Sequence, residues 1–286
     1  WRSAEYPTPP LKQGLGATLF AEAARKLGHS PFPQPASNLS EAYTNPLGIR
    51  MGQCSYCGFC ERFGCGNYSK ASPQTCVLPA LLRVPNFTAQ TESEVLKINL
   101  DSTGKRATGV TYVDTSGKEW EQPADIVLLC AFALFNVQLM LISGIGKPYD
   151  PVSGQGVVGR NYAYQTTSSV SVILKDKVLN PFIATGAHGM IIDDYNGDNF
   201  DHTNLGFVGG GYMGAGQTNG RPIQTRPVPK GTPKWGAAWK KATAETYQHA
   251  YSLSTHGSSY SYRDCWLDLD PTYKDRLGRP LMRMTF

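Results

Sequence analysis

The chain has 286 residues, 41 % hydrophobic and 17 % charged, with a net charge of +5. That length allows one large domain or two small ones, with enough apolar content for a core. The Lys and Arg residues are scattered, and the densest patch is broken by Trp235 and Trp239. It reads as a solvated face, which excludes a nucleic-acid arm.

Gly 30 and Pro 20 point to many turns and strands. Prolines 7, 9 and 10 keep the start extended, because each bars helix for its predecessor. A helix is expected over 15–27, with Leu15, Leu19, Ala23 and Leu27 on one stripe and Gly28 as its stop. Pro31, Pro33 and Pro35 then return the chain to an extended form.

Residues 52–73 carry four of the seven cysteines, Cys54, Cys57, Cys60 and Cys65, spaced C-x2-C-x2-C-x4-C. Three uses are open. A disulfide is awkward at two-residue separations. Zinc usually takes two ligand pairs a dozen or more residues apart, and no second pair follows here. An iron–sulfur cluster is what the run resembles most, although the bacterial ferredoxin pattern has x3 and then Pro where this chain has x4 and then Gly66. Gly58, Gly64 and Gly66 suit a tight ligand loop that needs positive φ and close backbone approach.

Beyond the loop a short helix is expected at 75–82 and a strand at 86–91. A meander of strands follows at 93–100, 107–114 and 118–122. The run 124–130, ADIVLLC, reads as a parallel strand buried on both faces, leading into a helix at 132–143. Strand, tight turn and buried helix is the geometry of a nucleotide-binding α/β domain. The longest apolar stretch, 126–135, is about half of what a bilayer needs. From residue 159 the texture becomes antiparallel sheet with long loops, one helix at 235–247, and strands at 166–174, 251–262 and 265–269. Gly209, Gly211 and Gly214 fit G-x-G-x-x-G, but residues 217–222 cannot start the helix that a dinucleotide site requires.

The fold class expected is α/β plus α+β. Residues 1–76 would hold a helix and the cysteine loop, 77–160 part of a dinucleotide-binding domain with the meander, and 161–286 part of an antiparallel-sheet substrate domain. The chain opens on Trp1 and closes on a strand-like Phe286. It reads as an internal fragment, expected to be inactive in isolation.

Four segments together resemble the glucose–methanol–choline oxidoreductase family: CSYCGFCERFGC with its tail SKASP; Asn86 to Thr88 and Thr91 to Val95 with ATGV at 107–110; VLLCAFALFNVQLMLISGIG at 127–146; and VVGRNYAYQ at 157–165. The likeness is strongest to the branch that oxidises gluconate and related sugars. It implies bound FAD and hydride transfer from a CH–OH group. It also implies a cluster, usually of the three-iron type, that passes electrons to a cytochrome c subunit. A small subunit, export to the periplasm and membrane association through partners are implied as well. Carried over by position, the backbone of Val95 would meet the adenine, and Cys130, Ala131 and Phe132 would form the turn approached by the cofactor. Phe132 stands where the family usually has glycine. The family's pyrophosphate loop would lie before Trp1 and its catalytic histidine beyond Phe286. None of His29, His188, His202, His249 or His256 sits in the family's motif, so no catalytic residue is assigned. The alternatives are a non-enzymatic electron-transfer module, and a flavoprotein whose cysteines bind zinc or no metal.

Overall fold

The computed structural model describes residues 5–58, 60, 63–183, 189–216 and 227–286. In chain order the elements are helix α1 (Leu15–Lys26), the short strands β1 (Phe32–Pro33), β2 (Tyr43–Thr44) and β3 (Arg50–Met51), and the one-turn helices α2 (Pro73–Cys76) and α3 (Leu78–Leu81). Strands β4 (Glu94–Leu100), β5 (Ala107–Val113) and β6 (Glu119–Pro123) precede helix α4 (Ala133–Ile142). Strands β7 (Thr166–Ile173), β8 (Gly189–Ile192) and β9 (Gly211–Gly216) lead to helix α5 (Gly236–Thr246). Strands β10 (Ala250–Gly257), β11 (Trp266–Lys274) and β12 (Pro280–Thr285) follow. Among the described residues no helix is long and apolar enough to cross a membrane.

The chain folds as two compact units, each built from two stretches of sequence: Trp1–Phe87 with Gln165–Ser258, and Thr88–Tyr164 with Ser259–Phe286. This parcelling differs from the contiguous segments 1–76, 77–160 and 161–286 read from the sequence. Its cause is long-range pairing. Strand β1 joins β8, and α1 packs on β8 and β9, so the first residues belong with the later sheet.

The first unit holds an antiparallel sheet ordered β1-β8-β9-β10-β7. Helix α1 covers one face through Ala17, Phe20, Ala21 and Ala24, which meet Met190, Ile192, Ala215 and Tyr251. The helix lies where its spacing predicts, but the buried stripe is this alanine-rich one. Leu15, Ala23 and Leu27 are exposed. Small residues let the helix approach the sheet closely. Gly16 adds to this, with its α-carbon against the Tyr251 ring. Strand alternation puts Thr167, Ser169, Ser171, Ser252 and Ser254 on the opposite face.

In the second unit β4-β5-β6 form the expected meander, and β11 and β12 form a hairpin. Helix α4 packs on β4, β11 and β12. Two side-chain bonds fix it there: the Ile98 N–H donates to Ser143 Oγ at 2.8 Å, and Gln138 Nε2 donates to the Pro280 carbonyl at 2.7 Å.

Two expected strands are corrected. Residues 86–91 form no strand, because the Val84 and Phe87 N–H groups close local turns onto Leu81 and Val84. Residues 124–130 form no strand, and past the Ala124 N–H bond to the Thr108 carbonyl the run joins no sheet. A strand exists only beside a partner, and among the described residues none lies alongside. The sheets are accordingly antiparallel throughout, and the fold is mixed α and β. The single helix expected at 75–82 is two one-turn helices. Ser72 caps the first through a reciprocal bond with Thr75, and Pro79 starts the second.

Candidate functional site

The cysteine loop belongs to the first unit. Its ends are clamped: the Cys54 N–H donates to the Leu39 carbonyl at 2.9 Å, and the fully buried Ser69 exchanges bonds with Leu39. Gly52 lets the two arms meet, since a Cβ there would lie 2.2 Å from the Asn67 carbonyl oxygen. Among the described residues of the loop, Tyr56 and Tyr68 are left-handed, at φ 56° and 54°. Gly58, Gly64 and Gly66 are not among them, which corrects the role assigned to those glycines. Gly58 matters for approach, with a Cβ meeting the Phe182 carbonyl at 3.0 Å.

All four cysteines line one small hollow, together with Asn38, Ser55, Gly64 and Lys70. The Tyr56 N–H points at Cys54 Sγ (3.4 Å), and Asn38 Nδ2 points at Cys60 Sγ (3.6 Å). Burial pushes the Cys65 thiol up. The backbone N–H groups of Lys70, Ser69 and Asn67, with the Lys70 ammonium, outweigh it and hold the thiol below its ordinary value. Lys70 also ties the loop by donating to the Phe63 carbonyl at 2.9 Å. The surroundings of Cys65 thus favour its thiolate. All seven cysteines are free thiols, so the disulfide reading does not hold. Among the described residues, however, no three His, Cys, Asp or Glu side chains are set to grip one ion. Cys57 is turned to the surface while Cys54 and Cys60 point inward. The donor chemistry suits a thiophilic metal, but the spacing of the sulfurs is not that of a closed site.

The other predicted residues lie in the second unit. Val95 sits on β4 opposite Tyr112, beside a bulge. Its carbonyl accepts Arg279 Nη1 at 2.8 Å, and Arg279 also pairs with Asp275 and Glu94. Asp275 is lowered from its ordinary value. Burial raises it, and the Arg279 side chain and the backbone N–H groups of Arg279 and Leu277 overcome that. Cys130, Ala131 and Phe132 form an open turn at the start of α4, all exposed. Asn136 holds this turn with both ends of its amide: the Ala131 N–H donates to Oδ1 at 2.8 Å, and Nδ2 donates to the Leu129 carbonyl at 3.2 Å.

Phe132 has φ 76° and ψ 151°, a region that glycine occupies freely. For a residue with a Cβ that conformation costs about 1–3 kcal/mol. In the same unit, Gly159 has φ 90°, and a Cβ there would lie 2.0 Å from the Leu267 carbonyl oxygen. Asn161 follows at φ 58°, with a buried Oδ1 that has no hydrogen-bond partner. A buried orphan acceptor calls for a donor from outside the described chain. An open turn of small residues and an orphan acceptor in one unit fit a bound nucleotide cofactor. Sequence reasoning missed Arg279, Asn136 and the state of Asn161. Only the Asn136 bonds are local enough to have been inferred.

The described histidines have structural partners. His29 meets Asp194 and Tyr195, His202 stacks with Phe200, His249 bonds the Leu174 and Lys177 carbonyls, and His256 stacks on Tyr212. His188 lies outside the described residues. Gly211 and Gly214 stand within β9. Their missing side chains allow contact with His256 and Ile191, so they form no phosphate loop.

The family model described as GMC oxidoreductase matches residues 34–167. Over all 286 residues the chain is 49 % identical to a protein of Pantoea cypripedii named "Gluconate 2-dehydrogenase flavoprotein", covering 46 % of that protein. It is 25 % identical over 281 residues to "2-methyl-1,2-propanediol dehydrogenase" of Mycolicibacterium austroafricanum, covering 49 % of it. The chain therefore spans about half the length of the curated relatives it matches.

Proposed function

We propose that the chain, whose residues 34–167 match the family model described as GMC oxidoreductase, is part of an FAD-dependent dehydrogenase acting on a CH–OH group of a sugar acid, with gluconate the first candidate. The observation that carries this reading is the 49 % identity, along the whole chain, to a flavoprotein named for gluconate. Fructose, sorbitol and 2-ketogluconate are the other substrates to compare.

Bound FAD supplies the hydride acceptor. The residues that would hold it are Val95, at the bulged start of β4, and the turn of Cys130, Ala131 and Phe132. Asn136 keeps that turn open by tying both its flanks, and the Ser143 hydroxyl fixes the far end of α4 to β4. A general base near neutral pKa takes the substrate's hydroxyl proton in such chemistry. The described histidines are all engaged elsewhere, and the base is assigned to none of them.

The cysteine loop is read as the next carrier. Cys54, Cys57, Cys60 and Cys65 would hold an iron–sulfur cluster of the three-iron type, passing electrons to a cytochrome c subunit. A small subunit completes the complex, in the periplasm and held to the cytoplasmic membrane through those partners. Four cysteines lining one hollow, N–H groups aimed at two of their sulfurs and the nearby Lys70 charge support this. Binding would require the loop to draw the sulfurs together. Zinc in the same loop, or thiols alone, is the competing reading.

Anaerobic visible spectroscopy, electron paramagnetic resonance and metal analysis of the full-length protein test both parts. The expected result is a flavin band with an iron signal that Cys60→Ser removes. A flavin band with zinc, or with no metal, overturns the relay. Absence of flavin overturns the enzyme.

A further inference from the structure

Beside the cysteine loop, within the first unit, lies a cavity of about 620 Å³. That volume is in the range of small-molecule sites. Two extended stretches wall it, one through Pro7, Pro9 and Pro10 and the other through Pro33 and Pro35. Proline fixes φ and has no N–H, so these walls are stiff and poor in backbone donors. Both stretches are also tied down. The Ser40 hydroxyl donates to the Pro9 carbonyl at 2.5 Å, and the Gln34 N–H donates to the Gly189 carbonyl at 2.9 Å. Gln13 lines the same cavity. Its Nε2 donates to the Leu11 carbonyl at 2.9 Å, while its Oε1 is buried and has no hydrogen-bond partner. A buried acceptor in that state calls for a donor from outside the described chain. Asn38 lines both this cavity and the cysteine hollow, with its Nδ2 pointing at Cys60 Sγ.

We infer that this cavity is a second ligand site, for a neutral aromatic ring carrying a hydroxyl group, that is, a phenol. The O–H donates to Gln13 Oε1, and the ring faces pack on the prolines. Proline-rich segments and aromatic rings pair in this way because the proline face is flat and already ordered. Glu5 is the one charged residue in the lining among the described residues, and an acid there disfavours an anion. A sugar acid is therefore not the ligand of this site. Because Asn38 belongs to both walls, the bound ring lies next to the cysteine loop. The site needs neither the flavin nor the cluster reading.

The experiment titrates the full-length protein with 2-naphthol and with 2-methoxynaphthalene, followed by the fluorescence of each probe. The two share a ring system, and only the first can donate. The parent is expected to bind 2-naphthol roughly tenfold more tightly, the scale of one hydrogen bond. Gln13→Leu should remove that preference by weakening 2-naphthol alone, leaving 2-methoxynaphthalene as in the parent. Ala36→Trp, which fills the cavity from its wall, should lose both probes while keeping the parent's melting temperature. Equal binding of the two probes by the parent means that water serves Gln13, and overturns the inference. So does a Gln13→Leu variant that weakens both probes alike, since its role is then structural, or one that keeps the preference. Parent-like binding by Ala36→Trp places the probes elsewhere, and no binding by the full-length parent means that the cavity is filled in the whole protein. Either result also overturns it.

Discussion

Asp114 shows what one side chain does for the meander. Its Oδ1 accepts from the Ser116 hydroxyl and from the N–H groups of Ser116 and Lys118, and its Oδ2 accepts the Trp120 indole. These bonds, the Ser116 hydroxyl first, hold the carboxyl down at about 2. The unfolded value is about 3.9. A depressed carboxylate stabilises the fold fully above the unfolded value and loses that contribution as pH falls toward the folded one. The β5–β6 turn should therefore keep its geometry on acidification through pH 4 and loosen only nearer 2. Carbon-detected NMR titration of the Asp114 carboxyl checks this, and a midpoint near 4 would remove the argument.

Arg279 works over a longer reach. It joins Glu94, Asp275 and the Val95 carbonyl. Arg279→Ala should lower stability by about 1–2 kcal/mol in urea, limited by the partial exposure of the cluster. The cysteine cluster stands out in the sequence by residue type and spacing, whereas the 130–132 turn was singled out only through the family resemblance. Arg279 was not legible, because its partner Val95 lies 184 positions away and nothing local marks the pair.

At the scale of elements, helix α1 shows why location reads more easily than orientation. Proline brackets and Gly28 fix where it lies. Leucine spacing suggests one face, whereas close approach to the sheet selects the alanine face, and the leucines turn outward. Phe20 is the large side chain of that buried face. Phe20→Ala should cost about 3 kcal/mol, whereas Leu27→Ala, at an exposed site, should change stability little. Thermal melts of both variants decide between the stripes.

The run 124–130 failed for a related reason. Its composition is that of a buried strand, but strandedness depends on a neighbour, and sequence does not reveal whether the neighbour is present. Ile126 and Leu128 are left 78 % and 79 % exposed. Gly159 is the reverse case, where a short motif carries a steric requirement. Its left-handed backbone and the Leu267 carbonyl leave no room for a Cβ. Gly159→Ala should destabilise by at least about 2 kcal/mol, read from the urea midpoint.

Across the whole molecule, the sequence carries two chemistries in two units. The cysteine loop lies in Trp1–Phe87, and the open turn with its orphan acceptor lies in Thr88–Tyr164. The boundaries between units were not legible. Long-range strand pairing, not composition, joins the chain's beginning to its later sheet. The likeness to the family was legible, because motifs separated along the chain agree with one another and with the region matched by the GMC oxidoreductase model.

The central claim is that a flavin bound in this protein takes electrons from a sugar acid. Anaerobic titration of the full-length protein with gluconate, while the visible flavin band is followed, tests it most directly. The account predicts that the band bleaches with about one equivalent of substrate per flavin, the stoichiometry of a two-electron hydride transfer. A flavin band that survives excess gluconate and every related sugar would contradict it.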